Sequence, residues 1–439
     1  MLDIKFIREN VEQLKIAAKN KNLSVDIDRL LAVDDLRREK LQVLEDLQRQ
    51  RNENSDKLKG VQGKPDQASI DEGKRLKDMI EQIEIEKKPI DKEYMDLMVL
   101  VPNIPSADTP IANDESGNVE VSKWGALPTF DFAPKSHMDL ARDLDLLDME
   151  RGTKVAGYRG YYVKNEGVSL MFAYMMYGLN KLIAKGFSPM MTPTLVRPFA
   201  LYGSGYFKGA EYNSEIDEIY RVSSQDKESD GSTSPEDKFL IGTAEPALLA
   251  YYAGETLKEE DLPIKFAGFS QCYRSEIGSY GKDTKGFYRV HEFMKLEQVV
   301  LCKADVAESD KLQQEMLAIT KEIYEDLEIH HRVIQICTGD MSVGKYKAFD
   351  VETWMPSRNG WGEVGSASNF LDWQARRLNV RYIDKNGEKK YVYMINNTSV
   401  PTPRPFIAIL ENYQQADGSI KIPKVLQPFM GKDVIKKAS

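Results

Sequence analysis

One stretch of the sequence, from Gln271 to Val300, brings together side chains that could bind a phosphorylated ligand: Arg274, Glu276, Arg289, Phe293 and Glu297. An apolar run, a loop rich in Gly, Ser and Lys, and a second apolar run predict a strand, a long loop and a returning strand. Two guanidinium groups at the ends of one hairpin could clamp a phosphate. The carboxylates could hold an ammonium or a metal ion, and the aromatic ring could stack on a base.

An isolated Arg-x-Glu is more typical of a surface hairpin whose charges are solvated. The whole block, however, reads YRSEIGSYGKDTKGFYRVHEF and resembles motif 2 of class II aminoacyl-tRNA synthetases, in particular that of the seryl-tRNA synthetases. This resemblance implies an ATP site in this stretch, with these residues: Arg274, Ser275, Glu276, Arg289, Val290, His291 and Phe293.

A second block combines hard oxygen ligands with small residues, in the sequence GEVGSASN from Gly362 to Asn369. We expect a small-residue turn before a helix here, so Glu363 could cap that helix or, with Ser366, hold Mg²⁺. The block resembles the E-x-x-S-x-S-N and D-x-QARR runs of seryl enzymes. The resemblance implies that Glu363, Val364, Gly365 and Ser366 bind ATP, with Mg²⁺ held by the first and last of them.

Three further segments complete the implied site. Thr243-Ala244-Glu245 follows a strand; taken alone it is a helix cap, but in seryl enzymes a T-x-E of this kind lines the amino acid pocket. Asn396 and Thr398 match positions that face serine, and Arg404 matches the arginine that ends motif 3. The resemblance therefore implies this serine pocket: Thr243, Ala244, Glu245, Arg274, Glu297, Asn396 and Thr398.

The implied reaction is ATP-dependent activation of L-serine to seryl-adenylate, followed by transfer of serine to the 3′ end of tRNA-Ser. Arg274, Glu363 and Arg404 are the implied catalytic residues, and Mg²⁺ accompanies ATP. The sequence leaves open whether tRNA-Sec is also charged. It also leaves two rival functions to test: a ligase that loads an amino acid onto a carrier protein, and a non-catalytic coiled-coil interaction protein.

The first hundred residues predict helices rather than a site. Residues 1–22 have an amphipathic period with Asp3 as N-cap, and two longer segments, 23–59 and 67–99, flank the breaker 60–65. Apolar residues step by three and four along the second segment, as in a coiled-coil seam. The expected seam residues of this segment are Ile80, Ile83, Lys87, Ile90, Tyr94, Leu97 and Val101. Those of the segment 23–59, which are less regularly spaced, are Val33, Leu36, Leu44, Leu47 and Leu58.

The long segments predict an antiparallel hairpin. Its mixed but partly basic charges suit a solubilising surface, while the resemblance implies an arm that binds tRNA. We therefore expect a tRNA-binding helical arm domain over residues 1–105, a linker over 106–135 and a class II catalytic domain over 136–439. The expected fold class is α+β, with an antiparallel sheet flanked by helices. A helix, Gly186 and a strand before Pro193 resemble motif 1, which implies a homodimer.

Composition limits the alternatives. The chain has 439 residues, of which 41% are hydrophobic, and 60 Lys and Arg against 69 Asp and Glu give a net charge of −9. An acidic total argues against DNA coating, although a local basic patch could still meet RNA. Three separated cysteines fit a reducing compartment. No apolar run is long enough for a membrane span, so we expect a cytoplasmic protein without a membrane partner.

Overall fold

The computed structural model describes residues 1–59, 66–223, 227, 230–233, 236–277 and 286–437. The predicted breaker 60–65, parts of the polar loop 223–238 and the centre of the long loop, 278–285, lie outside the described residues. The chain divides into two compact units, of which one comprises Leu2–Lys19 and Leu23–Pro102 and the other Met1, Asn20–Asn22 and Asn103–Ser439.

The described part of the first unit is built from four helices: α1 (Ile4–Glu9), α2 (Val11–Asn20), α3 (Ile27–Lys59) and α4 (Gln67–Met98). Asp3 accepts a hydrogen bond from the Lys5 amide and so caps α1, as the sequence predicts. The single amphipathic helix expected over 1–22 is instead broken at Asn10, whose amide side chain bonds back to the carbonyl of Phe6. An Asn side chain that bonds its own backbone competes with helix continuation.

Helices α3 and α4 pack antiparallel. Residue numbers rise along α3 as they fall along α4 in three ion pairs that join them: Arg29–Glu93 at 2.6 Å, Arg37–Asp91 at 3.0 Å and Lys40–Glu86 at 2.7 Å. Exposed pairs of this kind contribute little stability. The pairs therefore report the register of the hairpin, while the apolar seam supplies most of its packing energy.

The seam agrees in part with the predicted one. Leu47 and Ile80 are buried as expected, and Leu76 joins them at the contact between the helices. Leu36, which the period placed in the seam, is 43% exposed. That prediction was wrong because the apolar residues of α3 are too irregularly spaced to define one stripe.

The second unit contains eighteen strands. They are β1 (Val119–Trp124), β2 (Leu147–Asp148), β3 (Tyr162–Val163), β4 (Ser188–Met191), β5 (Leu195–Val196), β6 (Arg221–Val222), β7 (Lys238–Leu240), β8 (Thr256–Lys258), β9 (Ile264–Tyr273), β10 (Glu292–Cys302), β11 (His331–Gln335), β12 (Lys347–Met355), β13 (Gly360–Asn369), β14 (Arg381–Ile383), β15 (Lys389–Tyr391), β16 (Tyr393–Pro401), β17 (Ile420–Lys421) and β18 (Val434–Ile435), counted over the described residues.

Its helices are α5 (His137–Asp143), α6 (Met149–Ala156), α7 (Glu166–Ala184), α8 (Pro198–Ser204), α9 (Glu245–Leu249), α10 (Val306–Asp326), α11 (Trp373–Leu378), α12 (Pro403–Asn412) and α13 (Gln427–Met430). Eight strands form the central sheet in the order β1–β11–β12–β13–β16–β10–β9–β4. The sheet is antiparallel, as predicted, except at its edge, where β4 runs parallel to β9. Within the described parts of the chain, no helix is both long and apolar enough to cross a bilayer.

Alternate residues of β10 face opposite sides of the sheet. Leu296 and Val300 point into the main core with the helix α7. Gly178 of α7 shows how closely that helix approaches, because a Cβ there would lie 2.8 Å from a methyl group of Val400. Val299 and Leu301 point to the other side, where α9 and α11 cover one end. The uncovered part of that side carries the polar residues described below.

The turn predicted over 362–369 is instead the strand β13, paired with β12 on one side and β16 on the other. Small residues are required because neighbouring groups approach closely. A Cβ on Gly362 would lie 2.4 Å from the Met355 methyl, and one on Gly365 would lie 2.9 Å from the Thr398 carbonyl oxygen. The glycines therefore reflect crowding within a sheet rather than a reversal of the chain.

Candidate functional site

The candidate site lies on the open face of four adjacent strands, β13, β16, β10 and β9. Arg274 follows the last residue of β9, and Glu297 lies in β10 opposite Gly268. Thr398 of β16 lies beside Glu297, and Arg404 lies in the first turn of α12. Residues from distant parts of the sequence thus meet because the sheet order brings their strands together.

Two adjoining cavities open on this face. The first is lined by Arg274, Glu276, Tyr288, Arg289, Val290, Phe293, Lys295, Glu363, Val364, Thr398, Pro401, Pro403 and Arg404. The second is lined by Ser204, Gly205, Tyr206, Glu245, Arg274, Lys295, Glu297, Ser342, Val343, Gly344, Lys345, Glu363, Ser366, Ser368, Phe370, Trp373, Asn396 and Thr398. The predicted ATP residues are concentrated in the first cavity and the predicted serine residues in the second.

In the first cavity, Glu276 lies between two guanidinium groups. Its carboxylate is 3.0 Å from Arg289 and 3.8 Å from Arg159. The backbone of Glu276 has φ of 54°, a left-handed conformation that is uncommon for residues other than glycine. The hydrogen bond from the Arg274 amide to the carbonyl of His291 closes the base of the hairpin beside it. The chain thus bends sharply to place this carboxylate at the cavity wall.

At the opposite wall, Glu363 is paired with Arg404. The Arg404 Nη1 donates to both the carbonyl and the carboxylate of Glu363, at 2.8 and 3.0 Å. Burial raises the pKa of Glu363, but the guanidinium groups of Arg404 and Arg274 outweigh it and hold the pKa below its usual value. The Arg404 guanidinium also lies 4.5 Å from the centre of the Tyr288 ring. These contacts fix a cation and an anion side by side at the wall of the first cavity.

In the second cavity, Glu245 accepts three hydrogen bonds. Gln374 and Asn396 each donate an amide N–H to Oε1 at 2.7 Å, and the Tyr206 hydroxyl donates to Oε2 at 3.2 Å. Burial, with the neighbouring charge of Glu297, raises the pKa of Glu245 to about 7. The donors hold the carboxyl group in one orientation. Because its pKa is raised, a cationic ligand next to it would favour the ionised form.

Glu297 is a second buried carboxylate, and three groups converge on its Oε2. The hydroxyls of Thr243 and Thr398 donate to it at 3.0 and 3.1 Å, and the ammonium of Lys295 lies 3.1 Å away. Thr243 therefore does not act as the helix cap that its sequence position allowed. The residue before α9 is Ala244, which makes no side-chain capping bond.

The predicted metal ligands Glu363 and Ser366 both line the second cavity. Asp350 lies opposite Ser366 in the pairing of β12 with β13, and its buried Oδ1 has no hydrogen-bond partner among the described residues. Burial and the charge of Glu363 raise the pKa of Asp350 to about 8. Two carboxyl groups and a hydroxyl group in this corner are oxygen ligands of the kind that a hard divalent cation such as Mg²⁺ prefers.

Some predicted residues lie outside the two cavities. His291 lines a separate, aromatic-rich cavity with Tyr158 and Tyr220. The amide of Ser275 bonds to the carbonyl of Glu218 at 3.3 Å, and Gly365 serves the close packing of the sheet. Ala244 is fully buried in the cluster under α9. These residues support the site from behind rather than line it.

Several polar or aromatic residues that line or support the cavities were not predicted from the sequence, among them Tyr206, Tyr288, Lys295 and Gln374. Lys295 could have been predicted, because it stands two residues from both Phe293 and Glu297 and so shares their face of β10. Gln374 could not have been predicted from its spacing, since its partner Glu245 lies far away in the sequence.

Two family models match the chain: the seryl-tRNA synthetase N-terminal domain over residues 1–105, and the tRNA synthetase class II core domain (G, H, P, S and T) over residues 220–413. A serine–tRNA ligase of Treponema denticola is 43% identical over 439 residues, which cover 99% of this chain and 100% of the relative.

Solved structures agree with the sequence comparisons. The seryl-tRNA synthetase of Pyrococcus horikoshii, complexed with ATP, matches with a TM-score of 0.84 at 34% identity, over 100% of both chains. The cytoplasmic serine–tRNA ligase of Naegleria fowleri, in complex with AMP, matches with a TM-score of 0.82 at 30% identity, over 100% of this chain and 99% of that one. Full-length similarity of this degree, together with the two cavities, leads to one conclusion: the chain belongs to the seryl-tRNA synthetase family of class II aminoacyl-tRNA synthetases.

Proposed function

We propose that this chain activates serine with ATP in the two adjoining cavities and then transfers it to tRNA-Ser, the serine–tRNA ligase activity of its family. The observation that carries the proposal is the continuity of the cavities. Arg274, Lys295, Glu363 and Thr398 line both of them, so two ligands bound there would touch. Bringing two reactants into contact supplies much of the rate enhancement in a reaction of this type.

The first cavity suits ATP. Phe293 offers a ring to the adenine, Glu276 offers a carboxylate to its amino edge, and Val290 and Val364 form apolar walls. Arg289, Arg404 and Arg274 supply positive charge for the phosphates. Arg274 lies 5.5 Å from the centre of the Phe293 ring, so its guanidinium would lie near a base stacked on that ring and could reach the α-phosphate.

The second cavity suits serine. Glu245 and Glu297 present carboxylates to the ammonium group, and Arg274 presents a guanidinium to the carboxylate. Thr243 and Thr398 hold Glu297, while Asn396 holds Glu245. A pocket that bonds a hydroxyl group would reject alanine strongly, because buried polar groups would then be left without partners.

Glu363 and Ser366 are the proposed Mg²⁺ ligands, with Asp350 beside them. When bound with ATP, Mg²⁺ would neutralise charge on the leaving pyrophosphate. Arg404 would stabilise the same charge from a position next to these ligands, because its guanidinium is anchored on Glu363.

In the activation step, a carboxylate oxygen of serine attacks the α-phosphorus while the bond to the pyrophosphate oxygen breaks. The protein supplies no nucleophile, because the step depends on holding the two substrates in position and on stabilising the negative charge that develops. The adenylate then holds serine on an activated carbonyl. The 3′ hydroxyl of tRNA-Ser attacks that carbonyl, and AMP leaves.

The test is ATP–pyrophosphate exchange, run separately with each standard amino acid. We expect exchange with serine alone, and its loss in Arg274→Ala, because this guanidinium reaches both substrates. Exchange with a different amino acid would contradict the pocket assignment. The absence of exchange from folded protein would favour the non-catalytic interaction protein, and exchange without tRNA charging would favour a carrier-protein ligase.

We propose residues 1–105 as the tRNA-binding domain, residues 106–135 as the linker and residues 136–439 as the catalytic domain. The basic residues of α3, among them Arg38, Arg49 and Arg51, could meet RNA phosphates, so binding should weaken as salt rises. Charging assays with tRNA-Ser and tRNA-Sec, at two salt concentrations, test the arm and decide whether tRNA-Sec is a second substrate.

We propose a homodimer formed through α7 and β4. Phe172 and Met176 of α7 are 50% and 42% exposed, and Met191 of β4 is 84% exposed. Exposed apolar residues on adjacent elements are typical of an interface. Sedimentation should give a dimer, and Phe172→Glu should give a monomer; a wild-type monomer at micromolar concentration would contradict the proposal.

We also propose a cytoplasmic location. It is supported by the cysteines, since Cys272, Cys302 and Cys337 are all buried and free in the structure. Fractionation of cells producing the full chain tests this directly, and recovery with the membrane pellet would contradict it.

A further inference from the structure

Three side chains of different chemistry follow one another on the open face of β10. Phe293 lines the first cavity, Glu297 lines the second, and Lys295 between them lines both. Alternate residues of a strand share a face and lie roughly 6–7 Å apart. The strand thus presents in order a ring for the base, a cation at the junction of the cavities and a carboxylate for the ammonium.

Lys295 is deeply buried for a lysine, with 4% of its surface exposed. Its Nζ donates to the Thr398 hydroxyl at 3.1 Å and lies 3.1 Å from the Glu297 carboxylate. A lysine ammonium has three N–H groups. With these two acceptors among the described residues, one N–H can still be directed to a ligand in the cavity.

The position of this charge also matters. Among the described residues, the cations that line both cavities are Arg274 and Lys295. Arg274 approaches from the end of β9 and Lys295 from the floor formed by β10. A ligand group at the junction of the cavities would therefore be contacted from two directions.

We propose that Lys295 is a catalytic residue for serine activation, an inference that rests on the proposed function. Its remaining N–H donates to the oxygens at the α-phosphorus as the serine carboxylate oxygen forms its bond and the pyrophosphate oxygen departs. Lys295 acts only as a hydrogen-bond donor, so no proton is transferred. Its charge stabilises the transition state more than the ground state, because negative charge gathers on those oxygens.

The first experiment compares Lys295→Met with the wild type in serine-dependent ATP–pyrophosphate exchange. Loss of one preorganised donor at a developing oxyanion predicts a fall in kcat of about 100-fold or more. Binding of ATP alone, measured by equilibrium titration, should change by less than about threefold, because the adenine contacts remain. A kcat within about threefold of the wild type would overturn the proposal.

Lys265→Met is the matched control. Lys265 is a half-buried lysine on the neighbouring strand β9, is paired with Glu315 at 2.6 Å and lines neither cavity. We expect this variant to keep wild-type exchange. Thermal unfolding of both variants shows whether a loss of kcat reflects the missing charge or a damaged fold. Lys295→Arg keeps the charge, so it should keep a higher kcat than Lys295→Met, and it replaces that variant in the test if Lys295→Met fails to fold.

A double-mutant cycle with Glu297→Gln separates a catalytic residue from one that only positions Glu297. If Lys295 contacts the reacting oxygens, Lys295→Met lowers kcat by the same factor in the Glu297→Gln background. If Lys295 acts only through Glu297, the second substitution adds nothing and the loss falls on the KM of serine. That outcome would overturn the proposal while serine-dependent exchange by the wild type kept the proposed function intact.

Discussion

At the scale of single residues, the notable feature is a pair of buried carboxylates, Glu245 and Glu297, in the proposed serine pocket. Burial, followed by repulsion from Glu297, raises the pKa of Glu245 to about 7. A serine ammonium would offset this repulsion, so the pocket is better matched to the charged ligand than to water. Ionising Glu245 without a ligand should lower the free energy of unfolding, which can be measured.

We predict that Glu245→Gln gains stability relative to the wild type as pH rises. The native wild type holds a proton on Glu245 up to about pH 7, whereas the unfolded chain releases it near 4.5. Wild-type stability therefore falls as pH rises through this window, and the variant lacks that loss. The free energies of unfolding at pH 5 and pH 8 should show the variant gaining roughly 2 kcal/mol. A difference independent of pH would mean that Glu245 does not titrate in this range.

We predict that Gln374→Met raises the KM for serine about tenfold, because Glu245 loses one of the donors that orient it. Gln374 is fully buried and also bonds to the carbonyl of Ser204, away from the ATP residues. The KM for ATP should therefore stay unchanged. Steady-state exchange at varied serine and varied ATP checks this, and an equal rise in both KM values would contradict it.

Sequence alone predicted charged residues that the structure brings to the first cavity, such as Arg274, Glu363 and Arg404, because they occur in ordered blocks. It could not predict Gln374, because the partners that give that amide its role come from other elements. It also assigned His291 and Phe293 to the same site, whereas His291 precedes β10 and lines the separate aromatic-rich cavity, which only the fold shows.

At the scale of elements, the end of the long hairpin is fixed by a buried histidine. Nε2 of His137 accepts the amide hydrogen of Phe287 at 3.3 Å, and Nδ1 faces the Glu411 carboxylate of α12 at 2.7 Å. The Glu411 carboxylate also accepts from the Ser357 hydroxyl and amide. The hairpin and the helix that carries Arg404 are thus tied to one another through α5.

We predict that His137→Ala weakens ATP binding about tenfold, because the returning strand with Arg289 and Phe293 loses its anchor. Serine binding should change little, since its residues lie further along β10. His330→Ala is the control, because His330 contacts the Trp124 carbonyl at the far edge of the sheet. Equilibrium titration with ATP measures the effect, and equal affinities for the two variants would show that the anchor is dispensable.

Element boundaries show where local patterns stop being informative. The long helices were predictable because their apolar period persists over many turns. The strand β13 was expected as a turn because Gly and Ser favour turns locally, yet here they admit neighbouring strands and Met355. The parallel edge strand β4 depends on a tertiary contact with β9, which no local pattern encodes.

At the scale of the whole molecule, the two units divide the proposed labour between RNA binding and activation. We predict that Leu76→Ala, in the contact between α3 and α4, destabilises the helical hairpin by about 2–4 kcal/mol. Charging of tRNA-Ser should fall while ATP–pyrophosphate exchange stays at the wild-type rate.

Ile85→Ala is the matched control for this prediction, because Ile85 lies on the same helix and is 53% exposed. Circular dichroism of the variants reports the helical loss, and charging and exchange are measured on the same samples. Loss of exchange in Leu76→Ala would contradict an independent role for the two units.

The order of strands in the central sheet has a consequence for synthesis. Strand β16 lies between β13 and β10, and Arg404 follows it, so the floor between the cavities is incomplete until the chain has been made past residue 404. The hairpin of α3 and α4 needs only its own local contacts and can form long before. During synthesis the helical hairpin therefore emerges early, while β10 keeps one edge unpaired and open to mispairing until β16, which ends at Pro401, has been made.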